Sequence, residues 1–257
     1  MLKARARAGA APEELEGLLD GMRAERPAPD VVSHTTLIGA HARRGDVAAA
    51  ERALSDVRDA RLEPNLFSFN TALRACVAAA DAQAADRLFA ALCRRHRPNA
   101  FTYTFLMEAR ARAGDLQRAE EALEQAWRDG LELGMRSYNI LMKEHGRRRD
   151  TDGAKRVLTS AKRRGLSPDL VTWTTLISAC ARQGHVASAE EAVEEMRRQR
   201  VEPDLVCCNT LVSMYQRTKM DFAQSALLEE MRERRLRTSP WAYEDIRRKD
   251  QHSRTRP

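Results

Sequence analysis

The sequence contains few of the residues that build a β-sheet core. Aromatic residues make up only 5 % of the chain, whereas 43 % of its residues are hydrophobic and 32 % are charged. This balance suits amphipathic helices with solvated outer faces. The composition therefore predicts an all-α protein.

Patterns that would indicate a disulfide framework, a metal site or an enzyme are missing. The cysteines form an odd set of five without a C-x-x-C pair, so neither a disulfide framework nor a zinc knuckle is indicated. None of the six histidines begins an H-x-E motif, and P-C-x-x-C is absent, so the zinc deaminase signature is not present. We expect no catalytic residue, no metal and no cofactor, and predict that the chain is not an enzyme.

Long apolar segments are also missing. No run of 18 apolar residues occurs, and the first dozen residues lack the apolar stretch of a secretory signal. The sequence thus predicts no association with a membrane. Its net charge of +7 is compatible with a polyanionic partner but does not require one.

What the sequence does contain is a repeat of about 35 residues. Its period is set by five proline-led dipeptides, Pro29-Asp30, Pro64-Asn65, Pro98-Asn99, Pro168-Asp169 and Pro203-Asp204. A unit that ends in Gly134 fills the double interval. The six complete repeats, numbered one to six, cover residues 31–65, 66–99, 100–134, 135–169, 170–204 and 205–239. We assign residues 1–30 to a partial repeat and residues 240–257 to a capping helix with a basic tail.

Each repeat shows the pattern of two helices. Helix A carries an apolar pair at positions 7 and 8 and often closes with glycine at position 15, as at Gly45, Gly114 and Gly184. Helix B has apolar residues at positions 20, 24 and 27, the spacing of one helical face. Such hairpins must stack to bury their apolar faces. The sequence therefore predicts a right-handed superhelical solenoid of helix-turn-helix repeats.

The repeat consensus, seen in LVTWTTLISACARQGHVASAEEAVEEMRRQRVEPD at residues 170–204, resembles the P-class pentatricopeptide repeat over nearly the whole chain. The W-x2-L-G-x2-Y signature of the tetratricopeptide repeat is missing. The resemblance implies binding of single-stranded RNA at one base per repeat. It also implies a mitochondrial or chloroplast location, a role in RNA processing, stability or translation, and other proteins of an RNA-processing complex as partners, with no small-molecule substrate.

The N-terminal residues 1–11 are rich in arginine and poor in acidic residues, as a transit peptide would be, but they also align with part of a repeat helix. We favour the second interpretation.

In the family, position 5 and the last position of each repeat together select a base. The base-reading residues implied here are Thr35, Asn65, Asn70, Asn99, Thr104, Asn139, Asp169, Thr174, Asp204, Asn209 and Ser239. All five asparagines of the chain fall in these two columns, although Asn and Thr are mediocre helix formers. The last column also suits helix N-caps, so we expect capping and base reading together.

Two further columns are candidates for RNA contact. Position 2, which in the family wedges between bases, holds Val32, Phe67, Phe101, Arg136, Val171 and Val206; the alternative is that these residues pack the seam between repeats. Position 13 holds Arg43, Arg112, Arg147, Arg182 and Arg217, which suit phosphate contacts or, equally, complement the helix dipole.

The pairings of the family imply the target 5′-A-Y-R-U-G-C-3′, in which the third base is uncertain because Gly134 has no side chain. Two other functions remain open. A helical-repeat scaffold could bind a protein on the same surface, but it has no reason to restrict position 5 to Thr and Asn. A nonspecific polyanion binder would depend on the arginines and weaken sharply with salt.

Overall fold

The computed structural model describes residues 2–24, 28–234 and 236. Within these residues every regular element is a helix, and none of the helices is long and apolar enough to cross a membrane. The predicted Ser239 and the predicted capping helix and tail at 240–257 lie outside the described residues, as do residues 1 and 25–27 of the partial repeat. The fourteen helices of the described part are α1 Leu2–Arg7, α2 Pro12–Ala24, α3 Val31–Arg44, α4 Val47–Asp59, α5 Leu66–Ala79, α6 Ala82–Cys93, α7 Ala100–Ala113, α8 Leu116–Arg128, α9 Met135–Arg147, α10 Thr151–Arg163, α11 Leu170–Gln183, α12 Val186–Arg198, α13 Leu205–Thr218 and α14 Asp221–Glu233.

Side-chain caps define where most helices start. The helices α3, α5, α7, α11 and α13 each follow an Asp or Asn in extended conformation, whose side chain accepts from the backbone amide three residues later. An aspartate does the same for α4, α6, α8 and α10. These caps satisfy backbone donors that have no partner inside the helix, and each contributes about 1 kcal/mol. The capping role expected for the last column is confirmed at its described Asn and Asp residues.

Left-handed residues end the A helices. Gly45, Gly114 and Gly184 all adopt positive φ, as the sequence predicted. Repeats two and six use Ala80 and Lys219 at the same point, with φ of 55° and 59°. The same turn therefore forms where glycine is missing, at the cost of some backbone strain in Ala80 and Lys219.

The chain divides into two compact units, Met1–Ser137 and Tyr138–Pro257. In the first unit, the hairpins α3–α4, α5–α6 and α7–α8 stack because each A helix contacts the next, α3 with α5 and α5 with α7. In the second unit, α11–α12 and α13–α14 stack through α11 and α13. The prediction of an all-α fold built from stacked helical hairpins is confirmed.

Small residues allow the helices to approach closely. The alanines at position 20 of the first five repeats are completely buried: Ala50, Ala85, Ala119, Ala154 and Ala189. On the other face of each hairpin, the A helices present positions 2 and 5, which are the candidate site.

Candidate nucleic-acid interface

A groove runs along the A helices of the first unit. Its volume is about 710 Å³, within the range of roughly 300–1,000 Å³ that holds small organic ligands, so a nucleotide fits. The groove brings together position 2 (Val32, Phe67, Phe101), position 5 (Thr35, Asn70) and the last column (Asn65, Asn99). Residues of successive repeats, about 35 positions apart in the sequence, therefore line one surface.

The position 2 side chains face outward. Exposed fractions range from 57 % at Val32 to 70 % at Phe67, and Arg136 is exposed as well. Five of the seven exposed large hydrophobic residues in the described part of the chain belong to this column. These side chains do not pack the seam between repeats, so a row of apolar groups is available to a flat ligand.

The N-caps determine which atom of each last-column side chain remains for a ligand. Asn65 Oδ1 accepts from the Ser68 amide at 2.9 Å, so its Nδ2 group points elsewhere and keeps its two hydrogens. Asp204 Oδ1 accepts from the Cys207 amide at 2.8 Å, which leaves Oδ2 as an acceptor. An Asn cap thus presents a donor, and an Asp cap presents an acceptor.

Position 5 lies directly beside the last column of the same repeat. In repeat two, Asn70 Nδ2 is 3.4 Å from Asn99 Oδ1, and the Thr102 hydroxyl donates to Asn70 Oδ1 at 2.8 Å. In repeat four, partial burial alone would raise the pKa of Asp169, but hydrogen bonds from Thr172 and from Asn139 outweigh it and lower the pKa. Asp169 therefore stays a charged acceptor at neutral pH.

A supporting column at position 3 was not recognised from the sequence. The hydroxyl of Ser68 lies 2.7 Å from that of Thr35, and the hydroxyl of Ser137 lies 3.1 Å from that of Thr104. Ser68 and Ser137 therefore orient the position 5 residue of the preceding repeat. The sequence signal for this column is Ser or Thr at position 3 of the first five repeats.

Two of the predicted base-reading residues have a polar atom without a hydrogen-bond partner among the described residues. Asn139 Oδ1 and Thr174 Oγ1 are buried and make no hydrogen bond with the described residues. Beside Thr174, Cys207 stands where other repeats have a hydroxyl residue at position 3. Such atoms are uncommon in folded proteins, and each is open to a hydrogen bond from water or from a ligand. Asn209 is half-buried, and its predicted partner Ser239 lies outside the described residues.

Three of the position 13 arginines tie neighbouring A helices together. Their guanidinium groups donate to carbonyls of the preceding A helix: Arg43 to Ala6 at 3.3 Å, Arg112 to Val77 at 3.4 Å and Arg217 to Ala181 at 2.6 Å. Arg147 instead donates to Glu144 at 2.9 Å, and Arg182 is exposed. The column therefore has a structural use, and its phosphate contacts stay a prediction.

The groove of the first unit also contains cations that the sequence did not single out. Lys3, Arg7 and Arg74 line it together with Arg43, and no acidic residue is among the described residues that form its walls. An unbalanced positive charge attracts phosphate groups. Arg74 is not part of a recurring column, because no other complete repeat has arginine at position 9.

Comparison with known proteins places the chain among helical-repeat proteins. The family model described as the pentatricopeptide repeat domain matches residues 94–148, 156–218 and 193–243. A second model, the PPR repeat family, matches residues 29–78, and a third, the PPR repeat, matches residues 136–166. No curated protein sequence matches the chain.

Solved structures share the fold. PPR10 of maize, in complex with an 18-nucleotide psaJ RNA element, is 20 % identical with a TM-score of 0.54 over 94 % of this chain and 40 % of PPR10. The PPR domain of Arabidopsis thaliana protein-only RNase P 1, in complex with tRNA, is 19 % identical with a TM-score of 0.57 over 68 % of this chain and 93 % of that domain. This chain thus spans two fifths of the length of PPR10.

Proposed function

This chain belongs to the pentatricopeptide repeat family, and we propose that it binds single-stranded RNA selectively, one base per repeat, and acts without catalysis in organellar RNA processing, stability or translation. PPR10 and the RNase P domain, which have the same fold, were both solved in complex with RNA. The mechanism follows from the chain's own residues.

The observation that carries the proposal is the exposed apolar column at position 2. Phe67 and Phe101 flank the polar pair Asn70 and Asn99 in one groove, so a base between the two rings would meet amide groups at its edge. Base stacking on an aromatic side chain contributes about 1–3 kcal/mol and tolerates any base. The rings contribute binding energy for any base, and the polar pair selects which base is bound.

The last column supplies a physical rule for that choice. Adenine N1 and cytosine N3 accept hydrogen bonds on the Watson–Crick edge, whereas guanine N1 and uracil N3 carry hydrogens. The Nδ2 donors of Asn65 and Asn99 match the first pair of bases, and the carboxylate oxygens of Asp169 and Asp204 that the helix caps do not use match the second pair. Selection between purine and pyrimidine falls to position 5, as the family implies.

These pairings give the target 5′-A-Y-R-U-G-C-3′ for repeats one to six. Bound RNA would be held in an open strand, and a solenoid that covers a short segment would block nucleases or prevent hairpins. The cations Lys3, Arg7 and Arg74 favour this function over a protein scaffold, since they leave the groove of the first unit without a compensating acidic residue among those described. A mitochondrial or chloroplast location is proposed on the family alone.

The test is a binding titration of the purified chain with 5′-ACGUGC-3′ and with scrambled RNA in moderate salt. The variant Asn139→Thr should shift the preferred fourth base from U to G, because Asp169 is retained while position 5 changes. Equal, weak binding to all RNAs would indicate a nonspecific polyanion binder, and no binding would favour the protein scaffold.

A further inference from the structure

Repeat three lacks the group that reads a Watson–Crick edge. We call the pair formed by position 5 and the last position of a repeat its slot. In slot three the last position is Gly134, and a Cβ atom added there would have no other atom within 4 Å. The Ser137 amide, which other repeats offer to an Asn or Asp cap, donates instead to the Gly134 carbonyl at 3.0 Å. The Ser137 amide therefore needs no side-chain cap, and the space that a cap side chain would occupy at position 134 is open.

The position 5 residue of slot three and the position 2 residues that flank the slot are all present. Phe101 is 66 % exposed and Arg136 is exposed as well, so a ring and a planar cation can flank a base. The Thr104 hydroxyl donates to the Ala100 carbonyl at 2.7 Å and lies 3.1 Å from the Ser137 hydroxyl. It needs no hydrogen bond from the base.

We propose that slot three accepts purine nucleotides with a substituted Watson–Crick edge, such as N1-methylguanosine, as well as it accepts unmodified guanosine. This rests on the proposed RNA-binding function. The base is held by stacking, and a methyl group on N1 extends into the space that an Asn or Asp side chain occupies in the other slots.

Slot five provides the contrast. It has the same residue type at position 5, Thr174, but its last position is Asp204, whose Oδ1 is engaged in the cap and whose Oδ2 remains as an acceptor. N1-methylation of guanosine removes the hydrogen that this carboxylate would accept and places a methyl group against it. A lost hydrogen bond to a charged group corresponds to roughly a 10- to 100-fold loss of affinity.

The experiment uses the RNA 5′-ACGUGC-3′, which has guanosine at both the third and the fifth base. N1-methylguanosine is placed at one or the other, and dissociation constants are measured by fluorescence anisotropy with the full chain. We expect methylation of the third base to change the affinity by less than about threefold and methylation of the fifth base to weaken binding by about tenfold or more.

Two exchanged variants supply the controls. Gly134→Asp should make the third base sensitive to methylation and favour guanosine over adenosine there, and Asp204→Gly should make the fifth base tolerant. Equal losses at both bases in the wild type, or a Gly134→Asp variant that stays tolerant, would overturn the inference while leaving RNA binding intact. A chain that does not distinguish the unmodified target from scrambled RNA would overturn the proposed function itself, and this inference with it.

Discussion

Replacement of the Phe67 ring separates a stacking role from a packing role. The side chain is 70 % exposed, so about a third of a typical Phe area of roughly 200 Å² is buried. At about 25 cal/mol per Å², Phe67→Ala should lower the free energy of unfolding by no more than about 1.5 kcal/mol. Loss of stacking should cost RNA affinity about 1–3 kcal/mol, roughly a 5- to 150-fold rise in Kd.

Two other phenylalanines serve as controls. Phe69 lies two residues further along the same helix and is 1 % exposed, so Phe69→Ala should destabilise the fold by about 3–5 kcal/mol. Phe222 is 89 % exposed but lies on helix B of the last repeat, away from the position 2 column. Urea denaturation and anisotropy titrations on all three variants give the comparison. Equal losses of affinity in Phe222→Ala and Phe67→Ala would refute the stacking role of position 2.

The remaining predictions concern charge and backbone. Arg217→Gln should lower the free energy of unfolding by about 1 kcal/mol because the hydrogen bond to the preceding A helix is lost. Arg182→Gln should change the free energy of unfolding by no more than about 0.5 kcal/mol. If Arg182 contacts a phosphate, this variant should also reduce the slope of log K for RNA binding against log salt by about 0.7. Folding lowers the pKa of Asp169, so the carboxylate contributes its full stabilisation above the ordinary pKa of 3.8 and loses it as the pH falls through the lower folded pKa. In urea denaturation from about pH 5 to pH 2, the free energy of unfolding should therefore fall more steeply in the wild type than in Asp169→Asn. Gly153→Ala should destabilise α10, despite the higher helix propensity of alanine, because the methyl group would collide with the Asp150 carboxylate; a rise in melting temperature would contradict this.

Local sequence signals were sufficient to predict the fold. The hairpin boundaries follow from caps and turns, such as Asp30 at the start of α3 and Gly45 at its end, which act within a few residues of themselves. The close approach of the two helices follows from a small residue such as Ala50 at a recurring position. Ala80 and Lys219 show the limit of such signals, because stacking imposes a left-handed turn on residues that do not favour it.

The candidate site was only partly predictable, because its geometry depends on contacts between repeats. A column of Val and Phe suggests burial, and only the register of neighbouring A helices leaves Phe67 in solvent. The same register brings Ser68 to Thr35, 33 residues apart, and directs Arg217 to a backbone carbonyl. Periodicity identifies which residues share a column but does not reveal which atoms meet across the seam.

The Asn or Asp cap at the end of a repeat has a consequence for how such a protein evolves. Asn and Asp cap a helix about equally well, so an exchange at Asn65 or Asp204 would change the free atom that faces a ligand while the backbone amide stays satisfied. Under the proposed mechanism, a single mutation at such a position would redirect the protein toward a new transcript with little loss of folding stability. Target choice and fold integrity would then be subject to nearly independent selection, even though one side chain serves both.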